Sequence, residues 1–218
     1  MGKSAIILGA SGLIGSKLLT DLLYNEEFTS VKIFVRKKLY MNHEKLVQIV
    51  TNFNDLELIK EEIKADEVFC CLGSTKSKTP DIETYRKIDV DYPLSFAKIA
   101  LANGAKAYHI VTAMGANAKS GNYYSKLKGE VEDGLKMLSY SNLNIYRPSF
   151  LTGDRTENRP LENVMIPIMK VIDRLLVGKL KKYRSIDAGI VAKAMINQSN
   201  KNKKGIFVLE SDQIKELA

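Results

Sequence analysis

Tryptophan is absent from this 218-residue chain, cysteine and histidine occur twice each, and proline only five times. The two cysteines, Cys70 and Cys71, are adjacent inside an apolar run, so they cannot join distant segments and a disulfide framework is excluded. A chain that makes no use of an oxidising compartment is expected in the reducing cytoplasm. The histidines, His43 and His109, have no partners at metal-ligand spacing, so no metal site is expected. His109 instead reads as a strand residue packed under a helix. No apolar run approaches the ~18–20 residues that cross a bilayer, so no membrane partner is expected. The chain enters its first strand at once, which leaves no room for a signal peptide.

Acidic residues are also in deficit. Thirty-three lysines and arginines face 25 acidic residues, a net charge of +8. The basic residues gather at Arg36-Lys37-Lys38, Lys179 to Arg184 and Lys201 to Lys204. A basic stripe attracts nucleic acid. Yet there is no helix-turn-helix signature, zinc spacing or basic motif interleaved with aromatics, and nucleic acid is the disfavoured reading. The Lys201–Lys204 run lies in Asn- and Gly-rich sequence and reads as a solvated loop; Lys179–Arg184 reads as a solvated face before an anion site.

What the chain does have is an opening of unusual order. Ser4-Ala5-Ile6-Ile7-Leu8 is an apolar run that reads as a buried strand, followed by Gly9-Ala10-Ser11-Gly12-Leu13-Ile14-Gly15 and then a helical pattern. Gly9 permits a tight turn, Gly12 lets a phosphate approach the backbone, and Gly15 lets helix and strand pack closely. The helix N-terminus offers free N–H groups to an anion. The bland alternative is a tight strand-to-helix turn. Its position, between strand and helix at the start of the chain, favours a nucleotide diphosphate site.

Further strands are expected at Val31–Val35, Val47–Val50, Val68–Leu72, Ala107–Thr112, Leu143–Tyr146 and Ile206–Leu209. Between them lie helical patterns over Ser16–Tyr24, Asp55–Lys64 (capped by Asp55), Asp81–Asn103 (stopped by Gly104), Tyr123–Leu138, Val164–Val177 and Ala188–Asn197. Alternating strands and helices give right-handed βαβ units. The expected fold is therefore a single α/β domain: a doubly wound, Rossmann-type parallel sheet of about seven strands flanked by helices. Residues from about 154 onward form a small substrate-side cap and the last strand. Such a sheet places its ligand at the carboxyl ends of the strands.

The second strand ends at Val35-Arg36-Lys37-Lys38, about 20 residues past the glycines, where a carboxylate would select NAD and an arginine accepts the 2′-phosphate of NADP. No carboxylate is there, so NADP(H) is expected ahead of NAD(H). Tyr124 and Lys128, four apart on a helix, share a face. An ammonium beside a phenol makes the phenol a usable proton donor at neutral pH, although as an isolated pair they would more often be surface residues. Thr112, at the end of the fifth strand, offers a hydroxyl to the same carbonyl.

Gly9–Gly15, Cys70-Cys71-Leu72-Gly73-Ser74-Thr75, Tyr124-x-x-x-Lys128 and Arg147-Pro148 together resemble the short-chain dehydrogenase/reductase superfamily. They are closest to its atypical NAD(P)-binding branch and, almost end to end, to the Tat-interacting-protein oxidoreductase family. Phe69–Gly73, Asp89-Val90-Asp91-Tyr92, Lys128-Gly129-Glu130-Val131-Glu132 and Tyr146-Arg147-Pro148 carry the narrower match. The resemblance implies that Gly9, Ser11, Gly12, Leu13 and Ile14 line the pyrophosphate, with Gly15 behind them and Arg36 and Lys37 at the 2′-phosphate. Leu72 and Gly73 would pass beneath the cofactor. Tyr124 would be the acid/base, Lys128 would hold the nicotinamide ribose, and backbone near Arg147-Pro148 would face the nicotinamide. Two departures from the pattern stand out: Thr112-Ala113 replaces the usual Ser-Ser, and Asp89 stands where many relatives carry asparagine. These expectations describe an NADP(H)-dependent oxidoreductase acting on a small carbonyl or alcohol. The alternative is a non-catalytic NADPH-binding regulator read by a protein partner. A monomer and a homodimer are both open.

Overall fold

The computed structural model describes residues 2–153, Asp173 and residues 176–218. The expected Val164–Val177 helix lies almost wholly outside these residues.

Seven strands form one sheet in the order β3-β2-β1-β4-β5-β6-β9, each neighbouring pair parallel. They are β1 (Lys3–Leu8), β2 (Phe28–Val35), β3 (Leu46–Val50), β4 (Glu67–Cys70), β5 (Ala107–Val111), β6 (Asn142–Arg147) and β9 (Gly205–Glu210). This is the doubly wound Rossmann order that the alternation of strands and helices implies. The central strands are apolar on both faces because both are covered. Ala5 and Ile7 point into one cluster, with Leu18, Leu22, Val191 and Met195. Ile6 and Leu8 point into the other, with Phe96, Ala97, Leu127 and Val131. Helices α1 (Leu13–Leu23) and α5 (Ala188–Asn200) thus cover one face, and α3 (Tyr92–Ala102) and α4 (Tyr123–Lys136) the other.

Two local expectations need correction, and two elements are added. The stretch expected as an Asp55-capped helix is only a 3₁₀ segment, Glu57–Glu62, with no side-chain cap. Leu56 and Ile63 anchor its two ends in the core while Leu58 stays exposed and the backbone kinks at Ile59, so the segment has no continuous apolar face to hold a longer helix against the sheet. The long Asp81–Asn103 helix is three pieces: α2 (Ile82–Arg86), a π-helical turn (Lys87–Asp91) and α3. Pro93 has no N–H for the Asp89 carbonyl one α-turn back, and the wider turn falls just before it. That turn brings Asp89 and Val90, adjacent in sequence, both inward. Finally, a C-terminal helix α6 (Ser211–Leu217) follows β9, started by a capping box in which Glu210 and Gln213 satisfy each other's backbone N–H groups. A two-strand parallel pair, β7 (Leu151–Thr152) with β8 (Ile186–Asp187), also goes beyond the sequence reading.

His109 lies on β5, fully buried, but inside a polar cluster rather than under a purely apolar helix face. Its Nε2 lies 3.3 Å from Glu67, its Nδ1 pairs with the Tyr146 hydroxyl at 3.0 Å, and its ring stacks on Phe69. Glu67 also meets Lys3 at 3.0 Å. Burial pushes the Glu67 carboxyl up, but His109, Ser199 and Lys3 outweigh it and hold the group at about 2 instead of the ordinary 4.5. The folded state therefore favours the carboxylate. This stabilisation is complete above pH 4.5 and is lost as the pH falls from there towards 2. Urea unfolding of Glu67→Gln at neutral pH is expected to show a loss on the order of 2–3 kcal/mol. The gap from the native chain should close below that window.

Candidate active site

Because β1, β4, β5 and β6 run parallel in register, their carboxyl ends meet along one edge. Every residue named from the sequence comes from a segment that leaves this edge or packs beside it. At the end of β1, Gly9 adopts φ +77°, which side chains disfavour, and a Cβ there would fall 2.6 Å from the Cys71 carbonyl oxygen. A Cβ on Gly15 would lie 2.1 Å from the Gly9 carbonyl oxygen. The loop can thus be this tight only with glycine at both positions. Gly12 is the N-cap of α1 and supplies no side-chain cap, and the first turn carries no acidic residue. The leading N–H groups of an 11-residue helix are left to an outside acceptor, with Ser11 and Gly12 exposed beside them. This cradle fits the pyrophosphate of a dinucleotide.

Arg36 and Lys37 follow β2 and are exposed, and among the described residues neither makes a hydrogen bond or ion pair. Leu72 and Gly73 follow β4. Tyr124 stands in the first turn of α4, behind an Asn122 cap that accepts from the Ser125 N–H at 3.1 Å. It is 40% exposed, whereas Lys128 one turn later is buried. The Lys128 ammonium sits 5.9 Å from the Tyr124 ring centroid and 2.7 Å from Asp89 Oδ1. Asp89 is buried too, and its Oδ2 accepts from the Ser74 N–H at 2.8 Å. A Cβ on the exposed Gly73 would lie 3.2 Å from Lys128 Nζ, so the missing side chain leaves the ammonium just beneath the surface. Burial works against charge on Lys128, but the Asp89 carboxylate, together with Tyr124 and Cys70, outweighs it and raises the group above the ordinary lysine range.

Thr112 follows β5 as expected, but its hydroxyl is not available. Its hydroxyl is buried and donates to Glu132 Oε1 at 2.7 Å, so it does not stand free to meet a substrate carbonyl. The cause is Glu132, a fully buried carboxylate on α4 that also accepts from Arg147 Nε at 2.9 Å and from the Arg147 terminal nitrogen. Arg147 therefore commits its side chain to Glu132, and the Pro148 carbonyl accepts from the Met114 N–H at 3.0 Å. The sequence reading gave Glu132 no role; its only signal was the match at Lys128–Glu132. Cys70, pushed to about 11 by burial, is an inert wall rather than a nucleophile.

The rat protein HTATIP2 is 36% identical over 164 residues, covering 73% of this chain and 67% of that one. Protein FMP52 of Candida albicans is 30% identical over 227 residues, covering 99% and 98%. The chain belongs to their family. No family model matches the chain. Solved structures share the fold: the UDP-N-acetylglucosamine 4-epimerase of Methanobrevibacter ruminantium M1 has a TM-score of 0.71 at 20% identity, covering 96% of this chain and 76% of that one. The Bordetella bronchiseptica enzyme WbmG, solved in complex with NAD, has 0.71 at 16%, covering 99% and 76%.

The relatives also overturn one expectation. The FMP52 proteins of Candida albicans, Emericella nidulans and Aspergillus niger are named mitochondrial, so a cytoplasmic setting read from cysteine usage does not stand. Two adjacent free thiols do not distinguish one reducing compartment from another.

Glu132→Ala would leave the Arg147 guanidinium and the Thr112 hydroxyl without their shared acceptor. A loss of about 1–3 kcal/mol in urea-unfolding free energy is expected, because the partly exposed Arg147 guanidinium can turn to water while the buried Thr112 hydroxyl loses its main acceptor.

Proposed function

We propose that the protein is an NADP(H)-dependent oxidoreductase acting on a small carbonyl or alcohol, in a mitochondrial setting like that in the names of its FMP52 relatives. The observation that carries this reading is Lys128, buried one helical turn below an exposed Tyr124 and opened to the cofactor edge by Gly73. The glycine cradle from Gly9 to Gly15 holds the pyrophosphate through backbone N–H groups. Arg36, helped by Lys37, takes the 2′-phosphate, because an exposed planar guanidinium with no partner among the described residues suits a phosphate. Leu72, Gly73 and the backbone at Arg147 and Pro148 flank the nicotinamide half. Lys128 holds the ribose beside it.

NADPH, when bound, supplies a hydride to the carbonyl carbon. The chain's own part is the proton: Tyr124 gives its phenolic hydrogen to the carbonyl oxygen and recovers one from water, and in oxidation it takes the alcohol proton instead. Lys128 places positive charge against the ring and so favours the phenolate that this transfer leaves behind. Thr112 has no part in the proposal.

One observation favours a second reading. With Thr112 committed to Glu132, the carbonyl lacks the hydroxyl expected from β5, which suits a protein that binds NADPH as a sensed ligand and acts through a partner. Turnover separates the two readings. In a screen of small carbonyls with NADPH, Tyr124→Phe is expected to lower kcat about 10²-fold or more with cofactor binding unchanged. Turnover that survives the change would remove Tyr124 from the chemistry, and no turnover by the native chain would favour the sensor.

Cofactor preference has its own measurement, since a chain without tryptophan leaves NADPH fluorescence clear. Arg36→Ala should weaken NADPH by about tenfold, as expected for the loss of a charge-assisted pair, and leave NADH unchanged. Equal weakening of both would contradict the 2′-phosphate assignment.

A further inference from the structure

Beneath the loop that follows β4, two buried charges face each other, and the proposed reaction uses only one of them. Asp89 and Lys128 meet at 2.7 Å, each almost fully excluded from solvent. We propose that Asp89 is a positioning residue for the hydride-transfer site, keeping Lys128 charged and fixed beneath Gly73, against the Tyr124 ring. The proposal rests on the oxidoreductase reading above, in which Lys128 needs its charge.

The geometry is built for this task. A π-helical turn is uncommon, and this one brings Asp89 inward together with the core residue Val90. Asp89 Oδ2 is fixed by the Ser74 N–H at 2.8 Å, and Ser74 is itself held by Thr79, hydroxyl to hydroxyl at 2.6 Å. Oδ1 is left to the ammonium alone. The groups around Lys128 are Asp89 on the π turn, Tyr124 on its own helix and Cys70 on β4, with Tyr85 of α2 facing Asp89 and Tyr124. Asp89 is the one carboxylate among them. A buried lysine without such a partner sheds its proton, since a low-dielectric site disfavours the charged form. Here the carboxylate, 2.7 Å away, is the largest of the influences that reverse that direction, ahead of Tyr124 and Cys70. Asparagine has the same shape and would keep the Ser74 hydrogen bond, but it would remove the charge that Lys128 depends on.

The test follows Lys128 directly in the full chain without cofactor, by NMR of ¹³C-labelled lysine side chains, with Lys128 assigned from its loss in Lys128→Met. In Asp89→Asn the Lys128 signal is expected to reach its neutral position at a pH lower by about one unit or more than in the native chain. Asp89→Glu, which restores charge, should move it back. Titration of Asp89→Asn together with the native chain would overturn the proposal. If Asp89→Asn does not fold, adding Lys128→Met should restore folding by removing the uncompensated charge; a double variant that stays unfolded would also overturn it. Where turnover is measurable, the alkaline fall of kcat should move to lower pH in Asp89→Asn, which a purely structural role would not produce. A native chain with no turnover would defeat the oxidoreductase reading and leave the NMR result to decide the role of Asp89.

Discussion

Parallel pairing of β1 with β2 on one side and β4 on the other makes three strands end at a common edge, and everything proposed for this protein depends on that coincidence. It brings Cys71 against Gly9 so closely that only a glycine fits, and the chain must leave β1 through a left-handed turn. That turn aims the N-terminus of α1 along the edge with its N–H groups uncapped. The same alignment sets the loop after β4 over α4, and so puts Gly73 directly above Lys128. A shift of one residue in the β1–β4 pairing would separate the phosphate cradle from the acid/base pair.

Packing on the α3–α4 face then adds two buried ion pairs with different tasks. Glu132 with Arg147 joins α4 to β6 and draws in the Thr112 hydroxyl, fastening the helix to the strand end it serves. Asp89 with Lys128 joins the π turn to the middle of α4 and lies against the edge where a ligand would sit. Buried pairs are weak sources of stability because desolvation offsets their attraction, so both are better understood as devices that fix position. The first leaves the Arg147 side chain partly open to solvent but ties it to α4. The second is almost fully buried yet lies directly beneath Gly73 at the carboxyl edge, and that placement separates scaffold from site.

Much of this was legible in the sequence because its physical basis is local. An apolar run into glycines spaced three apart dictates strand, turn and helix within a few residues, and Tyr124 with Lys128 follows from helical spacing alone. Seven parallel strands followed from the alternation of runs and helical patterns. What was not legible depends on residues far apart in the chain. Thr112 looked available because nothing near it in sequence announces Glu132. Asp89 showed itself only as a departure from a familiar pattern, and its partner is found only once the π turn has folded against α4. The break at Pro93 is the kind of signal that a smooth helical reading passes over. Compartment was misjudged for a different reason: the cysteine count reports redox conditions, not location.

The most direct measurement of the central claim is a crystal structure of the native chain grown with NADP⁺. The account predicts the pyrophosphate on the backbone of Gly9 to Gly15, the 2′-phosphate on Arg36, and the ribose hydroxyls of the nicotinamide half on Lys128 beneath Gly73, with the Tyr124 hydroxyl facing the nicotinamide. A dinucleotide bound elsewhere, or bound along this edge with Lys128 still closed off and the nicotinamide turned away from Tyr124, would contradict it.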